Sequence, residues 1–244
     1  MTTMNAVRPA RRRGRPPGPT SAHGDARAAL VRTGVALLTE KGFSSVGIDE
    51  ILRAVGVPKG SFYHYFASKQ AFGEVLIDAY AAYFAHKLDA CLADEHRTPL
   101  QRLRDFVEEA KAGMARHDYR RGCLVGNLGQ EMAVLPEPYR ARLVAVFADW
   151  QTRTARCLEA ARQAGEVSRD ADCTQLAAYF WIGWEGAVLR AKLERSAEPL
   201  DIFADGFFAL LGVKASAMVQ RKGAPPERGA GHTGGTGVQG NTDR

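Results

Sequence analysis

Cysteine is sparse and unpatterned in this sequence. Cys91, Cys123, Cys157 and Cys173 form no CxxC pair and have no histidine at zinc-ligand spacing, which argues against a structural metal site and a disulfide framework. They read as reduced cytosolic thiols, so a cytoplasmic protein with no metal and no cofactor is expected. No uncharged apolar run approaches the ~18 residues that would span a bilayer, and no apolar h-region follows the basic N-terminus. Neither insertion into a membrane nor export is expected.

Catalytic signatures are also missing. There is no GxSxG, no HExxH, no glycine-rich nucleotide loop and no convincing carboxylate pair, and the six histidines are scattered. The run from Gly56 to Ser61 lacks the spacing of a Walker A loop and follows no strand. An enzyme on a helical scaffold therefore stands only as the rival reading.

What is present is charge, unevenly placed. The formal net charge is +6 and the pI about 9.3. Residues 1–24 hold five arginines and no acid, and residues 214–244 hold five basic and two acidic groups. Residues 25–70 carry six basic against four acidic side chains, which leaves 71–213 at about −4. Basic ends on an acidic body suggest an anionic partner met by one part of the chain only. Residues 1–24 and 214–244 read as a disordered basic arm and a disordered tail. Everything between reads helical, without strand alternation or an internal repeat, so the expected fold is all-α.

Ala29, Leu30, Thr33, Leu37 and Leu38 share one helical face, predicting a helix from Asp25 to Lys41 stopped by Gly42. A short helix from Ile48 to Val55, a turn at Gly56 and a second short helix starting at Pro58 follow. This is the layout of a helix-turn-helix over residues 25–70, whose second helix enters the major groove. Ile51, Leu52, Val55, Phe62 and Phe66 are its expected core. Lys59, Ser61, Tyr63, His64 and Lys69 can donate to phosphates or base edges, and Gly60 removes a side chain where backbone and DNA approach. Ordinary surface residues on a helical hairpin are the bland alternative for Tyr63 and His64.

The ungapped run from Gly56 to Ala71, GVPKGSFYHYFASKQA, resembles the signature of the TetR family of repressors. That resemblance implies that Lys59 and Ser61 reach bases while Tyr63, His64 and Lys69 hold phosphates of double-stranded operator DNA. Gly47 departs from the pattern, which usually has Ser or Thr there as N-cap and phosphate contact; Ser44 or Ser45 is the expected substitute. In the arm, Arg13-Gly14-Arg15-Pro16 resembles an AT-hook core with two arginines for a narrow minor groove, against a nonspecific basic tail as the alternative. A nucleoid-type architectural protein is a third reading, disfavoured by the acidic body.

Residues 71–213 then form a larger helical domain for effector binding and dimerisation, with helices expected at Ser68 to Asp94, Leu100 to Arg116, Gly122 to Ala133, Pro138 to Ala164, Asp172 to Arg195 and Leu200 to Leu211. Ser68 is the expected N-cap of the first of these, and Asp172 and Thr174 are the candidates for the fifth. In TetR-like proteins the last two long helices build a homodimer interface, where Gly183 and Gly186 would allow close approach; an intramolecular core is the alternative. The segment Arg121 to Glu131, RGCLVGNLGQE, resembles a TetR subgroup that senses reactive electrophiles and small unsaturated compounds, including an acrylate-responsive repressor. Cys123 at a helix N-terminus beside Arg120 and Arg121 is expected to have a lowered thiol pKa and to react with an activated alkene; a buried, inert cysteine is the alternative. Asn127 and Gln130 are candidate effector contacts or satisfied bundle residues. Trp150, Trp184 and Tyr83 are candidate pocket residues, against ordinary core.

Overall fold

A computed structural model describes residues 19–212, with side chains from Asp25, and all of them lie within one compact unit. The arm arginines Arg13 and Arg15 and the tail fall outside the described residues. The described residues form nine α-helices and no strand: α1 Pro19–Lys41, α2 Ile48–Val55, α3 Phe62–Tyr65, α4 Lys69–Leu92, α5 Pro99–Ala115, α6 Leu124–Gln130, α7 Pro138–Gln163, α8 Cys173–Glu194 and α9 Glu198–Leu210. The expected fold class holds. α1 begins ahead of the expected Asp25. Pro58 keeps an extended ψ of 145° and precedes a 3₁₀ turn, Lys59–Ser61, so the second helix of the motif starts as 3₁₀ rather than α.

Local chemistry sets these boundaries. Gly56 ends α2 in the left-handed region (φ 73°), where its N–H bonds Arg53 O and the next N–H, of Val57, bonds Leu52 O at 3.0 Å. Ser68 Oγ accepts from Ala71 N at the start of α4, and Asp172 Oδ1 accepts from Gln175 N at the start of α8, both as expected. Thr98 and Gln101 form a capping box on α5.

α1 to α3 close around Leu30, Leu38, Val46, Ile51, Leu52 and Phe62, all buried, with Val55 only half-buried. Phe62, Phe66 and Phe72 meet at ring separations of 4.5–5.4 Å, which locks the recognition segment to α4. α7 lies against α4, α5 and α8, and α9 against α8. Trp150 and Trp181 are fully buried at the centre, 4.8 Å apart, where Trp181 Nε1 donates to Thr154 Oγ1. Among the described residues no helix is long and apolar enough to cross a membrane, and no cluster of His, Cys, Asp or Glu has the form of a metal site.

Candidate functional site

The recognition segment is held from below and open above. Lys59, Gly60, Tyr63 and His64 are exposed, Tyr63 to 63% although it is aromatic, while the next-door Phe62 is fully buried and holds it edge-on at 5.4 Å. A Cβ on Gly60 would meet no atom of the protein, so the fold itself does not require glycine there. Ser61 is half-buried and Ser45 exposed. Lys59 Nζ lies 3.0 Å from Asp49 Oδ2, an exposed pair that a phosphate can displace at little cost.

Two contacts differ from the expectation. Lys69 is half-buried, with Nζ 3.2 Å from Phe43 O and 4.6 Å from the centre of the Phe43 ring, so it braces the α1–α2 turn before it meets any phosphate. Gly47 caps α2 with no side-chain bond. The backbone of the turn is satisfied instead from the larger domain, because Glu131 accepts from Phe43 N at 3.0 Å and Ser44 N at 2.7 Å.

A cavity of about 350 Å³ opens between α1, α4, α5, α8 and the segment before α6. Phe84, Phe106, Met114 and Trp184 give it apolar walls, and Arg32, Lys87, Arg116, His117 and Arg121 line it with positive or titratable groups. Tyr83 also lines it. A second cavity of about 360 Å³ lies between α6, α7 and α8, lined by Asn127, Gln130, Phe147 and Ile182 among others. Gly122, Cys123, Glu185 and Val188 line both, so they lie between the two.

The setting of Cys123 reverses the expected chemistry. Cys123 is itself the N-cap of α6, with Sγ accepting from Gly126 N at 3.4 Å. Burial, followed by the charge of Glu185, pushes its thiol pKa up rather than down. Neither arginine reaches it: Arg120 pairs with Glu40 at 3.5 Å, and Arg121 contacts His117. Burial also pushes the Glu185 carboxyl up to about 7, and the Tyr80 hydroxyl of the same cavity is raised by burial as well. Glu185 as a residue is half-buried, but its Oε1 is sealed and has no hydrogen-bond partner. Sequence reasoning missed Glu185. The available signal was an acid beside Trp184 on the apolar stripe of α8, the sole acid between Cys173 and Leu193.

Other candidates are redistributed. Trp150 lines neither cavity; it packs against Phe84 at 4.4 Å in the core, because its large apolar surface is better used there. Asn127 spends its amide on α1, donating to Leu38 O at 2.9 Å and Thr39 O at 3.0 Å. Thr39 O also accepts from Gly122 N at 2.9 Å and Lys192 Nζ at 3.4 Å. Gly183 faces inward: a Cβ there would lie 2.2 Å from the Phe203 ring of α9, so its close approach is intramolecular. Gly186, in contrast, is open, and Ile182, Leu189 and Leu193 extend the same exposed stripe of α8.

Comparison with known proteins gives the same two parts. Residues 30–74 match the family described as bacterial regulatory proteins, tetR family, and residues 99–207 match that described as tetracyclin repressor-like, C-terminal domain. The transcriptional regulator AcuR of Cereibacter sphaeroides is 56% identical over 80% of this chain and 89% of its own length. The HTH-type transcriptional repressor DhaR of a Mycobacterium species (strain GP1) is 32% identical over 76% and 91%. A crystal structure of a regulatory protein TetR from Rhodobacter sphaeroides superposes with a TM-score of 0.74 at 56% identity, covering 75% of this chain and 97% of that one.

Proposed function

We propose that this chain, which belongs to the TetR family of bacterial regulatory proteins and is a DNA-binding transcriptional repressor of that type, leaves its operator when a small unsaturated acid enters the cavity beside Cys123. The observation that carries this reading is the position of α6. Its first turn, capped by Cys123, borders the cavity, and the same short helix holds the DNA-binding domain through Asn127 on α1 and Glu131 on the α1–α2 turn. A ligand that displaces Cys123 also moves these anchors, and it shifts the population only by binding the displaced arrangement more tightly.

The cavity's chemistry suits an anion with a short apolar body. Arg32, Arg121 and Lys87 draw in a carboxylate, Phe84, Phe106 and Trp184 cover the hydrocarbon, and Cys123 meets an activated double bond. Acrylate is the effector we favour. On the DNA side Lys59, Gly60, Ser61, Tyr63, His64 and Ser45 meet the major groove and its phosphates, Lys69 sets the turn, and Arg13 and Arg15 add minor-groove contacts from the arm.

The operating unit is a homodimer in the bacterial cytoplasm, so that two recognition segments meet half-sites about 34–36 Å apart. The apolar stripe Ile182, Leu189 and Leu193 on α8, with Ile202 and Leu210 exposed on α9, supplies a self-complementary face. Ile182→Glu is expected to give a monomer by light scattering and to lose operator binding.

The test of the effector reading is a gel shift of the wild type and Cys123→Ser in acrylate and in propionate. Release of the wild type by acrylate alone, lost in Cys123→Ser, supports covalent sensing. Equal release of both proteins by both acids rules it out.

A further inference from the structure

The reading of Cys123 as the group that meets an activated alkene leaves a chemical gap, because the nucleophile is the thiolate and this thiol is held protonated by its surroundings. A cysteine so placed adds to an alkene only if a base takes the proton during attack. We propose that Glu185 is that base: it accepts the Cys123 proton as sulfur attacks the β-carbon of an α,β-unsaturated acid or amide, and then returns it to the α-carbon. This inference rests on the effector reading above and deepens it.

Three features of the geometry support the assignment. Glu185 and Cys123 both line the two cavities, close enough for the carboxylate charge to act on the thiol. The approach depends on residue 126 being glycine, since a Cβ there would lie 2.2 Å from Glu185 Oε2 and 3.6 Å from Cys123 Cβ. Glu185 Oε1 is buried with no partner in the protein, so this oxygen is open to a proton or a ligand, and leaving it unsatisfied costs about 1–3 kcal/mol. Tyr80 lines the first cavity with the pair, where its hydroxyl is a donor that would favour the thiolate as it forms.

The step balances within the protein and its ligand. A sulfur lone pair forms the S–C bond at the β-carbon, the S–H electrons remain on sulfur and the proton passes to Glu185. The alkene π pair moves to the α-carbon, which takes the proton back from the Glu185 carboxyl. The product is a thioether, with no net redox change and no co-reactant. An ordinary carboxylate is too weak a base for this; burial brings Glu185 near neutrality, where a general base is most effective.

Charged and titratable groups that line these cavities with the pair are Arg32 of α1, Tyr80, Tyr83 and Lys87 of α4, Glu109 of α5, Arg116, His117 and Arg121 between α5 and α6, and Lys192 of α8. Because several titratable groups share these cavities with the pair, a pH profile on the wild type alone does not identify the base.

The experiment measures the rate of single-adduct formation by intact-protein mass spectrometry, with acrylamide and with acrylate, from about pH 5.5 to about pH 9. It uses the full-length wild type, Cys123→Ser, Glu185→Gln and Glu185→Asp, each first shown to bind operator without effector. The wild-type rate is expected to rise to a plateau above about pH 7, and Cys123→Ser to give no adduct. Glu185→Gln should react about 100-fold more slowly near pH 7.5, with its rate still climbing tenfold per pH unit. Glu185→Asp, which keeps a carboxyl, should retain an inflection and answers the question if the glutamine variant does not fold. A Glu185→Gln rate and profile equal to the wild type overturn the base while leaving covalent sensing intact. A wild type that forms no adduct overturns the covalent reading and the base with it.

Discussion

Asn127 Nδ2 lies 3.0 Å from the carbonyl oxygen of Thr39, so a helix of the larger domain ties down the last turn of α1 at the edge of the DNA-binding domain. The same nitrogen bonds Leu38 O at 2.9 Å, and both carbonyls belong to the last turn of α1, where Leu38 O also accepts from Gly42 N and Thr39 O from Gly122 N. One side chain thus serves the fold and the link between domains. Asn127→Ala removes both bonds, while Leu38 O keeps Gly42 N and Thr39 O keeps Gly122 N and Lys192 Nζ. It is expected to lower stability by about 1 kcal/mol in urea denaturation and to blunt the response of operator binding to acrylate.

Lys59→Ala gives the opposite separation. Its partner Asp49 is exposed, so the lost ion pair changes stability by no more than about 0.5 kcal/mol. Operator affinity should nevertheless fall, and the slope of log affinity against log salt should shrink by about one unit if the ammonium meets a phosphate, or selectivity should relax at one base pair if it meets a base edge. Fluorescence anisotropy against operator and scrambled DNA distinguishes these.

Glu185 makes stability depend on pH. Its carboxyl titrates at about 7 when folded against about 4.5 unfolded, so between those values the native state holds the extra proton. Its contribution is fully present below about pH 4.5 and lost as pH rises through about 7, a difference on the order of 3 kcal/mol. Glu185→Gln is expected to melt with the wild type at acidic pH and above it at pH 8. Parallel melting curves across that range contradict the assignment.

Gly183→Ala places a methyl group against Phe203, at a site where the ring is packed between α8 and α9. The expected cost is about 1–3 kcal/mol from overpacking, with the dimer retained because the contact is within one chain. A variant of unchanged melting temperature that becomes monomeric would return Gly183 to the subunit interface.

The sequence by itself determined the helix-turn-helix and the all-α body, because these rest on local rules. Apolar spacing set the helices, Gly56 set the turn, Ser68 and Asp172 set two caps, and the dense run from Gly56 to Ala71 marked the recognition surface. Tertiary structure alone decided the chemistry of the cavity beside Cys123. Arg120 and Arg121 adjoin Cys123 in the chain but pair with Glu40 and His117, whereas Glu185, sixty-two positions away, shares both cavities with the thiol. Burial is a property of packing between helices, and it sets the sign of a pKa shift. Asn127, Trp150 and Gly183 went to other uses for the same reason: helical periodicity gives a face, while the neighbour on that face is chosen only when α1, α7, α8 and α9 pack together.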